Sequence, residues 1–391
     1  MRLGLSPVAW HLNLIRREAK LSNEALRGAT STARSIVYGE AFRRFMLRPE
    51  ATSVAAVVIL FIVFSLLAPQ LFPTKATYIS IMAIAAELGI VSVGATLLMI
   101  GGHFDLSVGA VLGLTSYVCV VLMRDYGFDP VSASVIAIMV GAALGAINGY
   151  LVVRFRIHSF VVTLGTMLVW RGVLIALTGG FPMTVEIPAS FRAAMAGPLL
   201  NGFRMSLFWF FLVGVLATIL LSRSKLGNWI QARGQNENAA RNLGVPVDRV
   251  TIILFMICSG LSAVAGILQV ARFASVDALR GEGFELQAVA VTVIGGTLLS
   301  GGYGSVLGAA LGAITFGMIQ VGLVLAGAPG HLFKTLTGII VIGAVILNTS
   351  ISRRMSKSRP LAGFRRDSSS ADAAIKAQAG IGETAKGGAN E

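Results

Sequence analysis

Four histidines, His11, His103, His158 and His331, are the first residues to test for chemistry, and no two stand at a metal-ligand spacing. The two cysteines, Cys119 and Cys258, sit inside apolar runs, where neither a disulfide framework nor a metal site can be argued. No G-x-x-x-x-G-K-[ST] phosphate loop occurs, so this chain does not bind ATP by that chemistry and no bound cofactor is expected. No nucleophile stands with a base in a catalytic pattern. The remaining chemistry is charge set in apolar sequence. Glu87, Asp105 and Arg171 lie in or beside long apolar runs. A charge at mid-membrane costs roughly 2.5–3.5 kcal/mol on insertion scales, so each asks for a partner. Glu87 and Arg171 fall at nearly equal depth in their runs, which predicts an intramembrane ion pair or a polar path for a solute. Asp105, before Leu106-Ser107-Val108, reads as a helix N-cap, as part of a translocation path, or as an interfacial residue. Lys334 lies near a run's end and snorkels.

The longest polar stretch between apolar runs is 223–249. Within it Asn236 is a good N-cap, Glu237 complements a positive helix start, and Arg241 falls in the last turn. Gly244 can take the left-handed stop and Pro246 prevents resumption. The result is a helix of about 7 residues, roughly 10 Å long, too short and polar to cross a bilayer. It serves either as a docking helix for a soluble partner or as a solvated turn.

These residues need a scaffold, and composition says which. Of 391 residues 55% are hydrophobic and only 13% charged, with a mean hydropathy of +0.78. Soluble domains carry about 25% charge, so this chain lacks the shell that water requires. Forty-five glycines without a collagen period suit close helix packing in lipid. Ten runs approach the roughly 20 residues of a transmembrane helix: 51–68, 79–100, 106–123, 132–153, 158–178, 205–222, 250–271, 284–300, 303–325 and 332–348. The runs 284–300 and 332–348 are the weakest, each able to be partial or re-entrant. With both tails inside, nine Lys/Arg fall in 1–50, two at Arg154 and Arg156, five in 223–249 and eight after 348. Only six fall in the outer loops, which fits the positive-inside rule. The net charge of +14 therefore marks cytoplasmic flanks and not nucleic-acid binding. The expectation is an all-α polytopic protein of about ten transmembrane helices: a basic cytoplasmic tail (1–50, without a leader core), a membrane domain (51–348) and a disordered cytoplasmic tail (349–391).

Three segments carry a family resemblance over about residues 50–350. The stretch Ala232-Arg233-Gly234-Gln235-Asn236-Glu237-Asn238-Ala239-Ala240-Arg241-Asn242-Leu243-Gly244-Val245 is similar to the coupling loop of bacterial ABC-importer permeases of the ribose/xylose/arabinose class. Gly101-Gly102-His103-Phe104-Asp105-Leu106-Ser107-Val108-Gly109 resembles that family's G-I-D-L-S-V-G segment, departing at His103 and Phe104. Phe284-Glu285-Leu286, Gly295-Gly296-Thr297 and Gly301-Gly302-Tyr303-Gly304 resemble its late glycine-rich segment. Leu299-Ser300-Gly301-Gly302 only imitates the signature of ABC ATPases, since it lies between apolar runs. The resemblance implies an inner-membrane sugar permease without its own ATPase site, with Gly234, Asn236, Glu237, Ala239, Ala240, Arg241 and Gly244 coupling it to an ATPase subunit that uses ATP. It further implies a periplasmic solute-binding protein and a second permease copy, identical or related. Ser107–Gly113 echoes Ser305–Gly312, which reflects either helix-packing spacing or an internal duplication.

Rival readings keep the scaffold and change the work. An ion-coupled carrier wants protonatable groups at mid-membrane, and Glu87 is the one deeply placed acid in this threading. An intramembrane enzyme wants a paired nucleophile and base, and none is present. An ABC importer of a branched-chain amino acid or a signalling furanone stays open.

Overall fold

The computed structural model describes residues 49–329 continuously and scattered helical positions from 332 to 346. Both tails, and the continuous course of the run expected over 332–348, lie outside the described residues. The described helices fall in the first of two compact units, Met1–Val345.

The helices are α1 (Pro49–Leu67), α2 (Lys75–Ile100), α3 (Val108–Arg124), α4 (Pro130–Phe155), α5 (Ser159–Thr178), α6 (Ala189–Ala196), α7 (Met205–Arg223), α8 (Lys225–Gln235), α9 (Glu237–Asn242), α10 (Val247–Phe273), α11 (Phe284–Ile294) and α12 (Val306–Leu325). Six of them, α2, α4, α5, α7, α10 and α12, are long and apolar enough to cross a membrane; Ser53–Leu67, α3 and α11 are shorter apolar helices. Two short strands, β1 (Met183–Thr184) and β2 (Ser275–Val276), pair antiparallel, Met183 opposite Val276. The chain is thus a multi-pass, nearly all-helical membrane protein.

Side-chain size sets the order of the layers. The apolar window of α2 is 89% buried, against 17% for α5 and 22% for α7, so α2 is the central helix and the other two are peripheral. Small residues let α4 and α10 close on each other. A Cβ at Gly141 would meet the Ser259 carbonyl at 3.0 Å, one at Gly145 would lie 2.7 Å from Phe255 C, and one at Gly149 2.7 Å from Ile252 Cα. Glycines four apart therefore seat one helix on its neighbour's backbone. Caps follow the sequence: Asp129 Oδ2 accepts the Val131 and Ser132 N–H groups at 3.0 Å, with Pro130 in the first turn. Ser305 caps α12 through the Gly308 N–H (3.2 Å).

Two expected runs come out shorter. The run 284–300 is helical only over α11, 11 residues or about 16 Å, because Gly295 packs on the Gly308 backbone and Gly296 takes φ +85°. It is half a span followed by a glycine-rich return. The run 106–123 becomes α3, 17 residues preceded by a non-helical segment, 101–107. The segment after β2 accounts for both. Val276 packs with Val120 and Val270, whereas the Arg280 and Gly281 carbonyls lie against Gly113 and Gly109. Between Val276 and Gly281 the chain therefore follows α3 for about 16 Å toward its first turn. Helices α3 and α11 both begin at this level, well inside the bundle. The segments 101–105, 156–159, 233–241 and 300–302 gather at one end, called here the Arg233 end, and β1–β2 mark the opposite, strand end.

Candidate functional site

The polar stretch 223–249 folds as two helices where one was expected. Ser224 Oγ accepts the Gly227 N–H (3.0 Å) and starts α8, which sequence reasoning passed over. Asn236 ends α8 in extended conformation and caps α9, its Oδ1 accepting the Ala239 N–H at 3.0 Å. Helix α9 is 6 residues long and stops at Gly244, φ +82°. Pro246 does more than prevent resumption: it immediately precedes α10. Arg241 spans the turn, reaching Asp248 at 2.7 Å and Glu237 at 3.3 Å. Ala240 faces inward and is buried, whereas Glu237, Asn238, Ala239 and Arg241 face out. Leu243 is 83% exposed, an apolar tip that no periodicity in so short a helix could have revealed.

Helix α8 joins this exposed loop to the bundle through a buried cation. Arg233 is 7% exposed. Its Nη1 donates to the Gly101 carbonyl, its Nε to Thr251 Oγ1 (3.0 Å), and its Nη2 pairs with Glu237 (3.2 Å). Beside it Gly234 touches backbone on two sides: a Cβ there would overlap the Ile100 carbonyl and stand 2.5 Å from Gly302 N. Gly302 N in turn donates to the Ile100 carbonyl at 2.8 Å, and a Cβ on Gly301 would come within 2.8 Å of Gly102 Cα. The three sequence segments singled out above thus meet at one joint. A polar cleft of about 780 Å³ opens beside it, lined among others by Arg156, His158, Arg233, Asn236, Glu237 and Arg241.

His103 closes the back of that cleft, 8% exposed, with Nε2 3.4 Å from Thr251 Oγ1. Burial, reinforced by the charges of Arg233 and His158, pushes its pKa down to about 3. His103 is therefore neutral at any physiological pH.

The charges within the bundle find other partners than their depth suggested. The expected Glu87–Arg171 pair is not formed. Glu87 Oε1 pairs with Arg272 Nη1 at 2.8 Å, and Gln269 Nε2 donates to Oε2 at 3.3 Å. Helix α2 packs on α10, while α5 lies out against α3 and α4, so equal depth put the two residues on different sides of the bundle. Arg171 Nη1 donates instead to the Ala278 (3.2 Å) and Arg280 (2.7 Å) carbonyls of the segment after β2. Asp105 is not the N-cap itself, since Ser107 immediately precedes α3. Asp105 Oδ1 accepts the Ser107 N–H (2.8 Å) and hydroxyl (2.6 Å), bracing the turn before the helix. Ser259 of α10 donates to Oδ2 (3.3 Å), and Asn148 of α4 to Ser107 Oγ (2.8 Å). The carboxylate therefore holds α3, α4 and α10 together. Glu285, in the first turn of α11, is the acid that sequence reasoning left out of the site. Among the described residues no three His, Cys, Asp or Glu side chains gather as metal ligands.

Residues 77–345 match the family model described as branched-chain amino acid transport system / permease component. The ribose import permease protein of Escherichia coli K12 is 32% identical over 303 residues, 76% of this chain and 93% of that one. A probable ABC transporter permease of Sinorhizobium fredii is 34% identical over 80% of this chain and 91% of its own length. An autoinducer 2 import system permease of Klebsiella pneumoniae is 35% identical over 79% of this chain and 88% of its own. No solved structure matches.

Proposed function

We propose a function from one premise: the chain belongs to the family of branched-chain amino acid transport system permease components and is the membrane-spanning permease subunit of an ABC importer. It is a multi-pass protein of the bacterial inner membrane, and permeases of this kind work with an ATPase and a solute-binding protein. On our reading the cargo is a simple sugar, as the ribose permease's similarity supports. The Arg233 end faces the cytoplasm, where α9 with Leu243 docks into an ATPase subunit that hydrolyses ATP on the chain's behalf. A second copy or a related permease completes the path, and a periplasmic binding protein delivers the solute at the strand end. The observation that carries the reading is the joint itself. A short capped helix follows α8, whose buried Arg233 holds the end of α2 and whose Gly234 packs on the glycine-rich return, so force applied at α9 reaches both.

The test is reconstitution of the permease with its ATPase and binding protein in proteoliposomes, scored by ATP-dependent uptake of radiolabelled ribose, xylose and arabinose. Sugar uptake that Arg241→Ala reduces, with the protein still in the membrane, is the expected result. Uptake of a branched-chain amino acid with no sugar uptake would overturn the cargo. The autoinducer 2 permeases at 33–35% identity make that furanone-type solute the second reading, tested in the same assay.

A further inference from the structure

We propose that the polar cleft beside α9 receives one acidic side chain of the ATPase subunit, which pairs with Arg156 on the wall opposite α9. The inference deepens the docking reading above and rests on it: there α9 is the contact, and here the turn between α4 and α5 becomes a second one.

The cleft has preformed walls. Its volume of about 780 Å³ lies between the turn 156–159 and the segment 233–241. Both walls are tied to the segment that follows α2. Ser159, 2% exposed, accepts the Phe104 N–H at 3.1 Å. Arg233 holds the Gly101 carbonyl from the other side. A group that enters between them therefore has little left to order on binding.

Its charges do not balance. Three arginines, Arg156, Arg233 and Arg241, line the cleft with two acids, Glu237 and Asp248. Arg233 pairs with Glu237, and Arg241 with both acids. The histidines add no charge: His103 is neutral, and His158 Nδ1 accepts the Phe160 N–H (3.4 Å), as only a neutral ring can. Arg156 is exposed and has no hydrogen bond or ion pair among the described residues. Asp248, whose charge it feels across the cleft, is held by Arg241 at 2.7 Å. The positive charge left over is thus on Arg156, and a single carboxylate, which a guanidinium fork binds well, neutralises it.

The backbone gives no reason for an arginine at this position. Arg156 ends α4 at φ +53°, a left-handed conformation in which glycine is the usual residue. Nor does the membrane require it, since Arg154 supplies a flanking charge in the last turn of α4 without lining the cleft.

The rim points to a protein as the source of the carboxylate. Leu243, 83% exposed, is two residues beyond Arg241, about 3 Å along the chain. Ile157, 44% exposed, lines the opposite wall. Apolar lips around an arginine have the anatomy of a protein interface, and a subunit seated on Leu243 is within side-chain reach of the cleft.

The test measures the affinity of the importer's purified ATPase subunit for the full-length permease, in nanodiscs of phosphatidylcholine and in nanodiscs with phosphatidylglycerol added. Arg156→Gly removes the charge and gives the backbone its preferred residue, so the permease should unfold at or above the wild-type temperature. Its Kd for the ATPase should nonetheless rise at least about tenfold, as the loss of a hydrogen bond to a charged group implies, and should depend less on salt. Arg156→Lys should bind more tightly than Arg156→Gly, and Arg156→Glu, which meets the acid with a like charge, more weakly. Wild-type affinity in Arg156→Gly overturns the proposal. Should that variant fail to fold, equal affinity of Arg156→Lys and Arg156→Glu overturns it instead. A loss confined to membranes containing phosphatidylglycerol puts a lipid headgroup in the cleft and also overturns it. Leu243→Ser separates the two readings: if it weakens ATPase binding while Arg156→Gly does not, the second contact alone falls, and if neither does, the docking reading falls with it.

Discussion

Replacing Gly234 by alanine tests the joint with one methyl group. The added Cβ would overlap the Ile100 carbonyl and stand 2.5 Å from Gly302 N. Carbon settles at about 3.5 Å from such atoms, so the end of α8 and the glycine-rich return must part by about 1 Å. The Gly302 N–Ile100 O hydrogen bond (2.8 Å) joins the return to the end of α2, so it stays closed while α8 is pushed off both. Overpacking of this kind costs about 1–3 kcal/mol, which is the amount by which the joint loosens. Gly244→Ala is the control: its φ of +82° costs about 1–2 kcal/mol, but the space around it is empty. Gly234→Ala should lower the thermal unfolding temperature in detergent and leave ATP hydrolysis running with little uptake. Gly244→Ala should soften α9 alone and leave the bundle's unfolding unchanged. A Gly234→Ala protein that unfolds at the wild-type temperature and imports at the wild-type rate would refute the reasoning.

Three further outcomes are expected. Arg272→Leu strands Glu87, whose side chain is 8% exposed, and should cost about 3 kcal/mol, near the low end for a buried pair because Arg272 is itself 25% exposed; Glu87→Leu/Arg272→Leu should cost less than the sum of the singles in thermal denaturation, and additivity would deny the pairing. His103 binds its proton only near pH 3 when folded, whereas the unfolded chain takes it up near 6.5; stability is therefore complete above pH 6.5 and falls as pH drops below it, by about 1.4 kcal/mol at pH 5.5. His103→Gln should flatten the dependence of unfolding temperature on pH between 7 and 5.5, and an unchanged slope would remove His103 as its source. In a background lacking the buried Cys119 and Cys258, a cysteine at position 190 should react with an impermeant thiol reagent in outer-membrane-permeabilised cells, and one at 238 only after the inner membrane is opened; labelling of 238 from outside would reverse the proposed orientation.

Local signals carried further than long-range ones. Asn236 and Gly244 bounded α9 correctly because a cap and a left-handed stop are properties of a few neighbouring residues. Helix α8 escaped notice because Gly227 and Gly234 argue against a helix. The structure explains both glycines by close backbone contact, Gly227 against the Leu220 and Leu221 carbonyls. The Glu87–Arg171 pairing failed for a geometric reason. Sequence position fixes depth in a span and leaves the angle around the bundle free, and that angle put α10, not α5, beside Glu87. The run 284–300 ranked among the weakest because it opens with Phe284-Glu285, whereas the structure ends α11 at Gly295-Gly296. Glu285 was visible in the motif Phe284-Glu285-Leu286, but its empty oxygen depends on how the segment 277–283 folds back along α3, which no local pattern encodes.

The joint and the start of α11 are linked by the covalent chain as well as by packing. From Gly101, held by Arg233, the segment 101–107 leads to the first turn of α3, where Gly109 abuts Glu285. From Glu285, α11 leads back through Gly295 to Gly302, held on the Ile100 carbonyl. The two half-helices that begin deep in the bundle therefore both return to the one place where α8 enters it. A displacement of α8 reaches both half-helices through these segments, which carry further anchors of their own at Asp105 and Gly295. Broken helices of this kind let a remote force reshape a site deep in a bilayer without unfolding a full span. Gly234→Ala should therefore leave ATP hydrolysis running while the solute stays outside.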